Sequence, residues 1–137
     1  GLESFPMVSG GKGVHVVAPL APGHDWDHVK AFAHAVAQLL EHREPKKYVA
    51  SASKDKRDGR IFVDWLRNGR GATSSAAWSL RARPGATVAM PVSWEALSKL
   101  TGADHFTLPL ALRRTKALKE HPWGDFRALD LRLPTPP

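Results

Sequence analysis

The sequence predicts an α/β (α+β) fold, a mixed sheet flanked by helices, from three observations. Residues Val14–Ala18 alternate in character and are rich in β-branched side chains, which is typical of a strand. Apolar side chains recur at helical spacing between Trp26 and Leu40. Ile61–Trp65 is an apolar run that a single carboxylate interrupts, and it is predicted as a second strand. Strands and helices that intermix along one chain place it in the mixed class.

The boundaries of these elements follow from capping and turn residues. The long helix is expected to begin after Asp25, a good N-cap residue, and to end before Pro45. A glycine-rich turn, Ser9–Gly13, precedes the first predicted strand. The shorter elements expected are strands at Lys47–Ser51 and Thr87–Met90, and helices at Ser93–Leu100, Leu108–Lys119 (or from Leu110) and Trp123–Leu131.

Length and composition limit the class of protein. The chain has 137 residues, for which one domain, residues 1–137, is the natural expectation. It contains no cysteine, so disulfides and thiolate metal sites are excluded. No apolar run is long enough to cross a bilayer, and the start of the chain has no signal-peptide pattern. We therefore expect a soluble, intracellular protein without a membrane partner.

The net charge of +7 is concentrated in one central block. Between Lys46 and Arg83 there are ten Lys and Arg residues and three Asp residues, whereas the rest of the chain has ten of each sign. A localised basic block attracts polyanions such as nucleic acid, because each cation placed near a phosphate releases condensed counterions. The alternative interpretation is a solvated face that keeps the protein soluble. We favour binding, because the block contains glycines, hydroxyls and the strand that bears Asp64.

The glycine-rich turn is a candidate phosphate site. Glycines allow the backbone to approach an anion closely, and successive amides of such a turn can form an anion nest. Ser9 adds a hydroxyl, Lys12 a positive charge and His15 an imidazole just inside the following strand. The turn is not a Walker A loop, which would need a preceding strand, a following helix and a GK[ST] sequence. The alternative is an ordinary turn.

Asp64 is the most informative carboxylate, because a carboxylate within an apolar strand is costly to bury without compensation. Magnesium or manganese would satisfy it, since hard cations prefer carboxylate oxygens. The alternative is a salt bridge to Arg60 or Arg67, and the spacing alone does not separate the two. One carboxylate does not make a two-metal site, which needs shared acidic ligands.

Three arginines of the basic block, Arg57, Arg67 and Arg81, are candidates for clamping a phosphate or a base. The alternative for each is a solvated surface arginine. A further motif, His24-Asp25-Trp26-Asp27-His28, imitates the HExxH signature of zinc hydrolases. It begins a helix instead of lying inside one, and no third ligand is apparent, so its aspartates are better explained as N-terminal helix residues.

Several motifs in order resemble one known family. They are Phe5-Pro6, Ser9–His15, Lys54–Asn68 with its Phe62-Val63-Asp64-Trp65 core, and Ser79–Arg83. Together they resemble the polymerase domain of bacterial DNA ligase D, a member of the archaeo-eukaryotic primase superfamily. The resemblance extends from about Phe5 to Leu129.

The resemblance implies a primase-type catalytic core and template-directed nucleotidyl transfer, with end filling in non-homologous end joining. It also implies nucleoside triphosphates, mainly ribonucleotides, as substrates, DNA ends or gapped duplexes as templates, and Mn²⁺ or Mg²⁺ as cofactor. The expected partners are a ligase domain, a nuclease domain and the Ku protein, in the bacterial cytoplasm at the nucleoid.

The resemblance assigns roles to seven residues of this chain. Ser9, Lys12 and His15 match the motif that binds the incoming triphosphate, and Arg57 and Arg81 match basic residues that face the nucleotide. Asp64 matches the lone carboxylate that is a catalytic metal ligand. Arg67 stands where many members have glutamine, so its contact with the nucleotide is a weaker expectation.

One motif of the family is not found where it is expected. A pair of aspartates separated by one residue should precede the glycine turn, but none of the eight residues before Ser9 is aspartate. Asp25 and Asp27 have the right spacing but follow the turn, and we do not assign them this role. The chain is therefore expected to be the C-terminal portion of a polymerase domain that needs an upstream segment or a second chain for its full metal site. The alternative is a catalytically inactive module that binds nucleotide or nucleic acid.

Overall fold

A computed structural model describes residues 1–136, so the predicted domain end at Pro137 lies outside the described residues. The chain forms two compact units. The first consists of Gly1–Leu20 and Ser75–Leu131, and the second of Ala21–Ser74 with the residues from Arg132 onward. Strands and helices intermix as predicted, and the α/β fold class is confirmed. Parallel and antiparallel strand pairs occur in two separate small sheets instead of one mixed sheet.

The first unit is built on a three-stranded antiparallel sheet of β1 (Phe5–Val8), β2 (Val14–Val17) and β5 (Met90–Pro91). The strand order is β2-β1-β5, with β1 in the centre. β1 and β2 form a hairpin, and the glycine turn is its loop. On its other side, β1 pairs with β5, which comes from much further along the chain, and Val8 is opposite Met90.

Both faces of β1 are covered. Val8 belongs to one cluster of buried apolar residues, which also contains Val88, Met90, Val92, Phe106 and Ala111. Met7 faces the opposite way, as strand periodicity requires, and packs with Ala89 and Trp123. The indole Nε1 of Trp123 donates to the carbonyl of Pro6 at 2.8 Å. The central strand is therefore fixed from both sides, and so is the start of the turn that follows it.

The strand β1 was not predicted from the sequence. It is four residues long and contains a proline, which removes one ladder donor and weakens the strand pattern. Two helices complete the first unit: α2 (Trp94–Leu97), where the Ser93 hydroxyl accepts from the amide of Ala96, and α3 (Leu108–Ala117). The predicted helix at Trp123–Leu131 is wrong except for one 3₁₀ turn at Phe126–Ala128.

The second unit combines the long helix with a two-stranded parallel sheet. The helix α1 spans Trp26–Arg43, and the Asp25 carboxylate caps it by accepting from the amide of His28, as predicted. The strands are β3 (Tyr48–Val49) and β4 (Ile61–Phe62), and 3₁₀ turns follow at Asp55–Arg57 and Leu66–Asn68. The predicted strand Ile61–Trp65 is thus shorter than expected, and Asp64 lies just beyond its end.

Candidate nucleotide site

The hydroxyl of Ser9 organises the glycine turn from inside. Ser9 is 8% exposed, and its Oγ accepts from the amides of Gly11 and Gly13 at 3.1 and 3.2 Å. The amide of Gly10 donates to the carbonyl of Ala103 at 3.0 Å. The amide of Ser9 donates to the carbonyl of Gly13 at 2.9 Å, so four amides of the turn already have partners within the protein. The expected nest of free amides is occupied by a side chain, so side chains must supply most donors to a bound anion.

Arginines from a distant segment reach this turn. Nη1 of Arg81 donates to the carbonyl of Ser9 at 2.8 Å and also to the hydroxyl of Ser75. Arg83 lies against the turn as well. Its Nη1 is so close to Gly11 that a Cβ added there would be only 2.7 Å away. Lys12 is exposed at the tip. Three cationic side chains therefore surround a short loop whose own carbonyls are partly neutralised.

Gly10 of the turn is required for this packing. Gly10 has a φ of +71°, and a Cβ there would lie 2.8 Å from Cγ of Arg81 and 3.0 Å from the carbonyl carbon of Val88. The carbonyl of Gly10 accepts a hydrogen bond from the buried hydroxyl of Thr87. The glycines thus let the arginines approach the backbone closely. This is a packing role in addition to the conformational role that the sequence indicated.

His15 lies in β2, is half-buried and is opposite Met7 in the strand register. It is the second residue after the turn and therefore lies at the start of β2. Of the residues expected to bind triphosphate, the structure therefore brings Ser9, Lys12 and Arg81 to one turn, with His15 on the adjoining strand.

Sequence reasoning gave no site role to Arg83, although the structure places it against Gly11. The signal was only the closeness of Arg83 to Arg81 along the chain, because the backbone turns between them and the amide of Arg83 donates to the carbonyl of Arg81 at 2.8 Å. Thr87 was also missed, because a buried threonine that supports a carbonyl has no sequence signature.

In the second unit, Asp64 is held by its immediate neighbours. Its Oδ1 accepts from the amide of Leu66 at 3.0 Å, and its Oδ2 lies 3.7 Å from Nε of Arg67. Arg67 also donates from Nη1 to the carbonyl of Thr73 at 3.1 Å. Arg60, the other predicted partner, instead donates to the carbonyls of Pro45 and Lys56. The ion pair with Arg67 is thus formed, and the one with Arg60 is not.

The environment of Asp64 is compatible with one metal ligand but does not form a complete metal site. Its side chain is 41% exposed, so the expected burial penalty is largely absent. An ion pair this exposed is worth about 0–1 kcal/mol, so a divalent cation could displace Arg67. Over residues 1–136, no group of three or more His, Asp or Glu side chains is arranged to hold a metal ion. Asp64 therefore belongs to no such group among the described residues.

The remaining candidates of the second unit have structural contacts. The guanidinium carbon of Arg57 lies 5.4 Å from the centre of the Phe62 ring, which anchors that arginine beside an open depression next to Gly59.

At the start of α1, Nε2 of His24 accepts from the amide of Leu133 at 3.3 Å. The rings of His24 and His28 meet edge to face at 5.3 Å. These contacts explain the histidine motif as part of the helix start.

Trp65, which follows Asp64, fixes this segment to the helix. Its indole Nε1 donates to the carbonyl of Ala50 at 2.9 Å. Its ring stacks on His34 of α1 with centroids 3.9 Å apart, and Nζ of Lys30 lies 5.7 Å from the same ring. The backbone around Asp64 is thereby held between a helix and a strand end.

In the part of the chain described, no helix combines the length and the apolar character needed to traverse a bilayer.

The fold agrees with comparisons to known proteins, which identify a primase-polymerase type of domain. The family model "LigD, primase-polymerase domain" matches residues 1–123. This match covers most of the chain, and the chain belongs to the LigD primase-polymerase domain family.

Individual relatives support this assignment. The chain is 42% identical over 134 residues to the multifunctional non-homologous end joining protein LigD of Pseudomonas aeruginosa, and 39% identical over 97 residues to that of Mycolicibacterium smegmatis. These matches cover 97% and 71% of this chain but only 16% and 13% of those proteins. The chain therefore spans about a sixth or less of the length of these relatives.

A solved structure matches the fold directly. The polymerase domain from Mycobacterium tuberculosis Ligase D, in complex with DNA, superimposes with a TM-score of 0.76 at 34% sequence identity. The match covers 85% of this chain and 40% of that one. The predicted resemblance to the ligase D polymerase family is confirmed.

Proposed function

We propose that this chain contributes the triphosphate-binding part of a template-directed nucleotidyl transferase that fills DNA ends during non-homologous end joining. The observation that carries this proposal is the glycine turn lined by Lys12, Arg81 and Arg83. Membership in a polymerase-domain family and the DNA-bound structural neighbour support the reaction class.

The turn residues have complementary tasks toward a triphosphate. Lys12 supplies an unpaired point charge at the tip, and Arg83 presents a planar guanidinium against Gly11. The lone pairs of the Ser9 hydroxyl are used by two backbone amides, so its O–H remains as a donor toward a phosphate oxygen. Arg81 fixes the turn through Nη1 and keeps its remaining N–H groups for charge compensation.

Asp64 is the residue of this chain that would hold a divalent cation, Mn²⁺ or Mg²⁺. When bound, such an ion neutralises the triphosphate and lowers the pKa of the attacking hydroxyl. The other carboxylates would come from an upstream segment or a second chain, because the described residues offer no set of three. Arg67 would release Asp64 to the ion, and Arg57 would contribute charge from its place on Phe62.

The proposed partners follow from the same reaction. They are a ribonucleoside triphosphate, DNA ends or a gapped duplex, and, by family resemblance, a ligase domain and the Ku protein. The site of action would be the bacterial cytoplasm at the nucleoid. A second candidate function is a catalytically inactive module that binds nucleotide or nucleic acid, and it is favoured because residues 1–136 contain no group of three or more His, Asp or Glu side chains arranged to hold a metal ion.

Primer extension on a gapped duplex tests the proposal. The longest natural polypeptide that carries this sequence, and this chain alone, would be assayed with Mn²⁺ and ribonucleotides. Asp64→Asn should reduce extension by roughly 100-fold or more, since it removes a metal ligand. Asp58→Asn, a change at another acid of the same basic block, should leave the rate unchanged.

Binding of a non-hydrolysable triphosphate separates the two candidates. Lys12→Ala should weaken binding about tenfold, the cost of one charge-assisted contact, whereas Lys116→Ala should not. Binding that depends on Lys12, together with no extension by either polypeptide, would establish the inactive module. Binding that is indifferent to Lys12 would refute the triphosphate site.

A further inference from the structure

Three exposed tryptophans differ in the charges that surround them along the chain. Trp26, Trp78 and Trp94 are 58%, 37% and 49% exposed. Trp26 lies between two aspartates, and Trp94 is followed by glutamate. Trp78 lies in residues 75–93, which contain two arginines, Arg81 and Arg83, and no acidic residue. A polyanion would therefore be repelled at the first two tryptophans and attracted at the third.

The side chain and the backbone of Trp78 are both held in place. Its ring meets His121 edge to face at 6.0 Å, and Nδ1 of His121 accepts from the amide of Trp123 at 3.0 Å. Trp123 is itself buried and bonded to Pro6 of β1. The amide of Trp78 donates to the carbonyl of Ala89 at 2.7 Å. The exposed ring is therefore pre-organised and loses little freedom when it binds something.

The backbone conformation at Trp78 is unusual and sets its direction. Its φ of +67° lies in the left-handed region, which bulky side chains rarely adopt. In the segment that it begins, Trp78 and Leu80 are exposed, whereas Ser79 and Arg81 are half-buried. The same short segment thus carries Arg81 to the glycine turn and holds an aromatic ring toward solvent.

We propose that Trp78 is a stacking platform for an unpaired base of a DNA strand, supported from behind by His121. Every base has a π face, so a fixed indole binds bases with little sequence preference, while nearby arginines attract the phosphates. This proposal rests on the proposed function in one respect only, which is that the nucleic acid strand bound by the protein is DNA.

Base-dependent affinity provides the test. A labelled single-stranded oligonucleotide is compared with the same strand carrying abasic residues, by fluorescence anisotropy with the longest natural polypeptide that contains this chain. The wild-type protein should prefer the base-bearing strand by roughly 5- to 100-fold. Trp78→Ala should abolish that preference, Trp78→Phe should keep most of it, and Trp94→Ala should leave it unchanged.

Salt dependence separates stacking from charge. Trp78→Ala should lower the affinity without changing the slope of log K against log salt, because a stacked ring releases no counterions. Arg83→Ala, if it removes one phosphate contact, should reduce the slope by about 0.7. A preference for bases that survives in Trp78→Ala, while Trp78→Phe behaves as wild type, would overturn the proposal.

Measurements of nucleoside triphosphate binding separate the stacking proposal for Trp78 from the proposed function. Trp78→Ala should leave Lys12-dependent binding of a nucleoside triphosphate unchanged. If Trp78→Ala weakens binding of the nucleoside triphosphate but not of inorganic tripolyphosphate, the ring serves the nucleotide base and the strand proposal is wrong. Loss of the triphosphate site with the base preference intact would refute the proposed function alone and would support the platform.

Discussion

The glycine turn of the first unit and the Asp64 segment of the second are held by opposite kinds of contact. The Ser9 hydroxyl makes local bonds within the turn, and distant residues then hold the turn in place: Arg81 donates to the carbonyl of Ser9, 72 positions earlier, and Thr87 donates to the carbonyl of Gly10 across 77 positions. Asp64 is bonded to residues two and three positions along the chain. The shape of the turn is therefore a property of the folded unit, whereas the Asp64 geometry is local.

Burial follows the same division. Ser9 is almost fully buried and uses its hydroxyl for the backbone, whereas the Asp64 side chain is 41% exposed and its ion pair is solvated. We infer that changes in the turn alter stability and binding together. Changes at Asp64 should alter chemistry without altering stability, because exposed ion pairs contribute little to folding.

The largest effect is expected for Gly10→Ala. The new Cβ would meet Arg81 and the backbone of Val88, at a φ of +71° that only glycine adopts readily. Strain and overpacking together should lower the free energy of unfolding by about 2–4 kcal/mol, measured by urea denaturation. Gly13→Ala is the matched control, because nothing lies within 4 Å of its Cβ position, and it should change stability by less than about 1 kcal/mol. Equal effects at the two glycines would contradict the packing role of Gly10.

An intermediate effect is expected for Ser9→Ala. The change leaves the amides of Gly11 and Gly13 without their acceptor and should cost about 1–2 kcal/mol, since neither amide bond can re-form in the same turn. Triphosphate affinity should fall in the same variant. Ser98→Ala removes an exposed hydroxyl that donates to Glu95 and should cost less than about 0.5 kcal/mol in the same denaturation experiment. If Ser9→Ala weakened triphosphate binding at unchanged stability, the hydroxyl would not organise the turn.

The smallest effect on stability is expected for Asp64→Asn. An asparagine oxygen can still accept from the amide of Leu66, and only the exposed pair with Arg67 is lost. The free energy of unfolding should therefore change by less than about 0.5 kcal/mol. Metal-dependent triphosphate binding should be strongly reduced in the same variant. A large loss of stability would mean that this carboxylate is structural and would remove the contrast with the turn.

Elements with a strong local signal were predictable from the sequence. The helix α1 and its Asp25 cap follow from periodicity and capping chemistry, and both are present as expected. Short elements were not predictable to the residue. β4 ends at Phe62 instead of Trp65, and α2 stops at Leu97, since contacts elsewhere in the unit decide where such short elements end.

The candidate site shows the same limit. The sequence identified Ser9, Lys12 and Arg81 as residues with the right chemistry, and the resemblance placed them in one motif set. It did not reveal that the Ser9 hydroxyl takes the place of an anion in the turn, nor that Arg83 packs on Gly11. The first is a bond within the turn whose geometry the residue types do not specify, and the second is a contact between segments some seventy positions apart.

The sequence by itself determined the α/β class, the long helix, the basic block and the family, because periodicity, charge and motif order are local properties of the chain. Only the tertiary structure decided which arginines reach the glycine turn and which distant residue contacts the ring of Trp78. The reason is physical: a hydrogen bond or a close approach between distant segments exists only after the chain between them has folded, and no local pattern encodes its geometry.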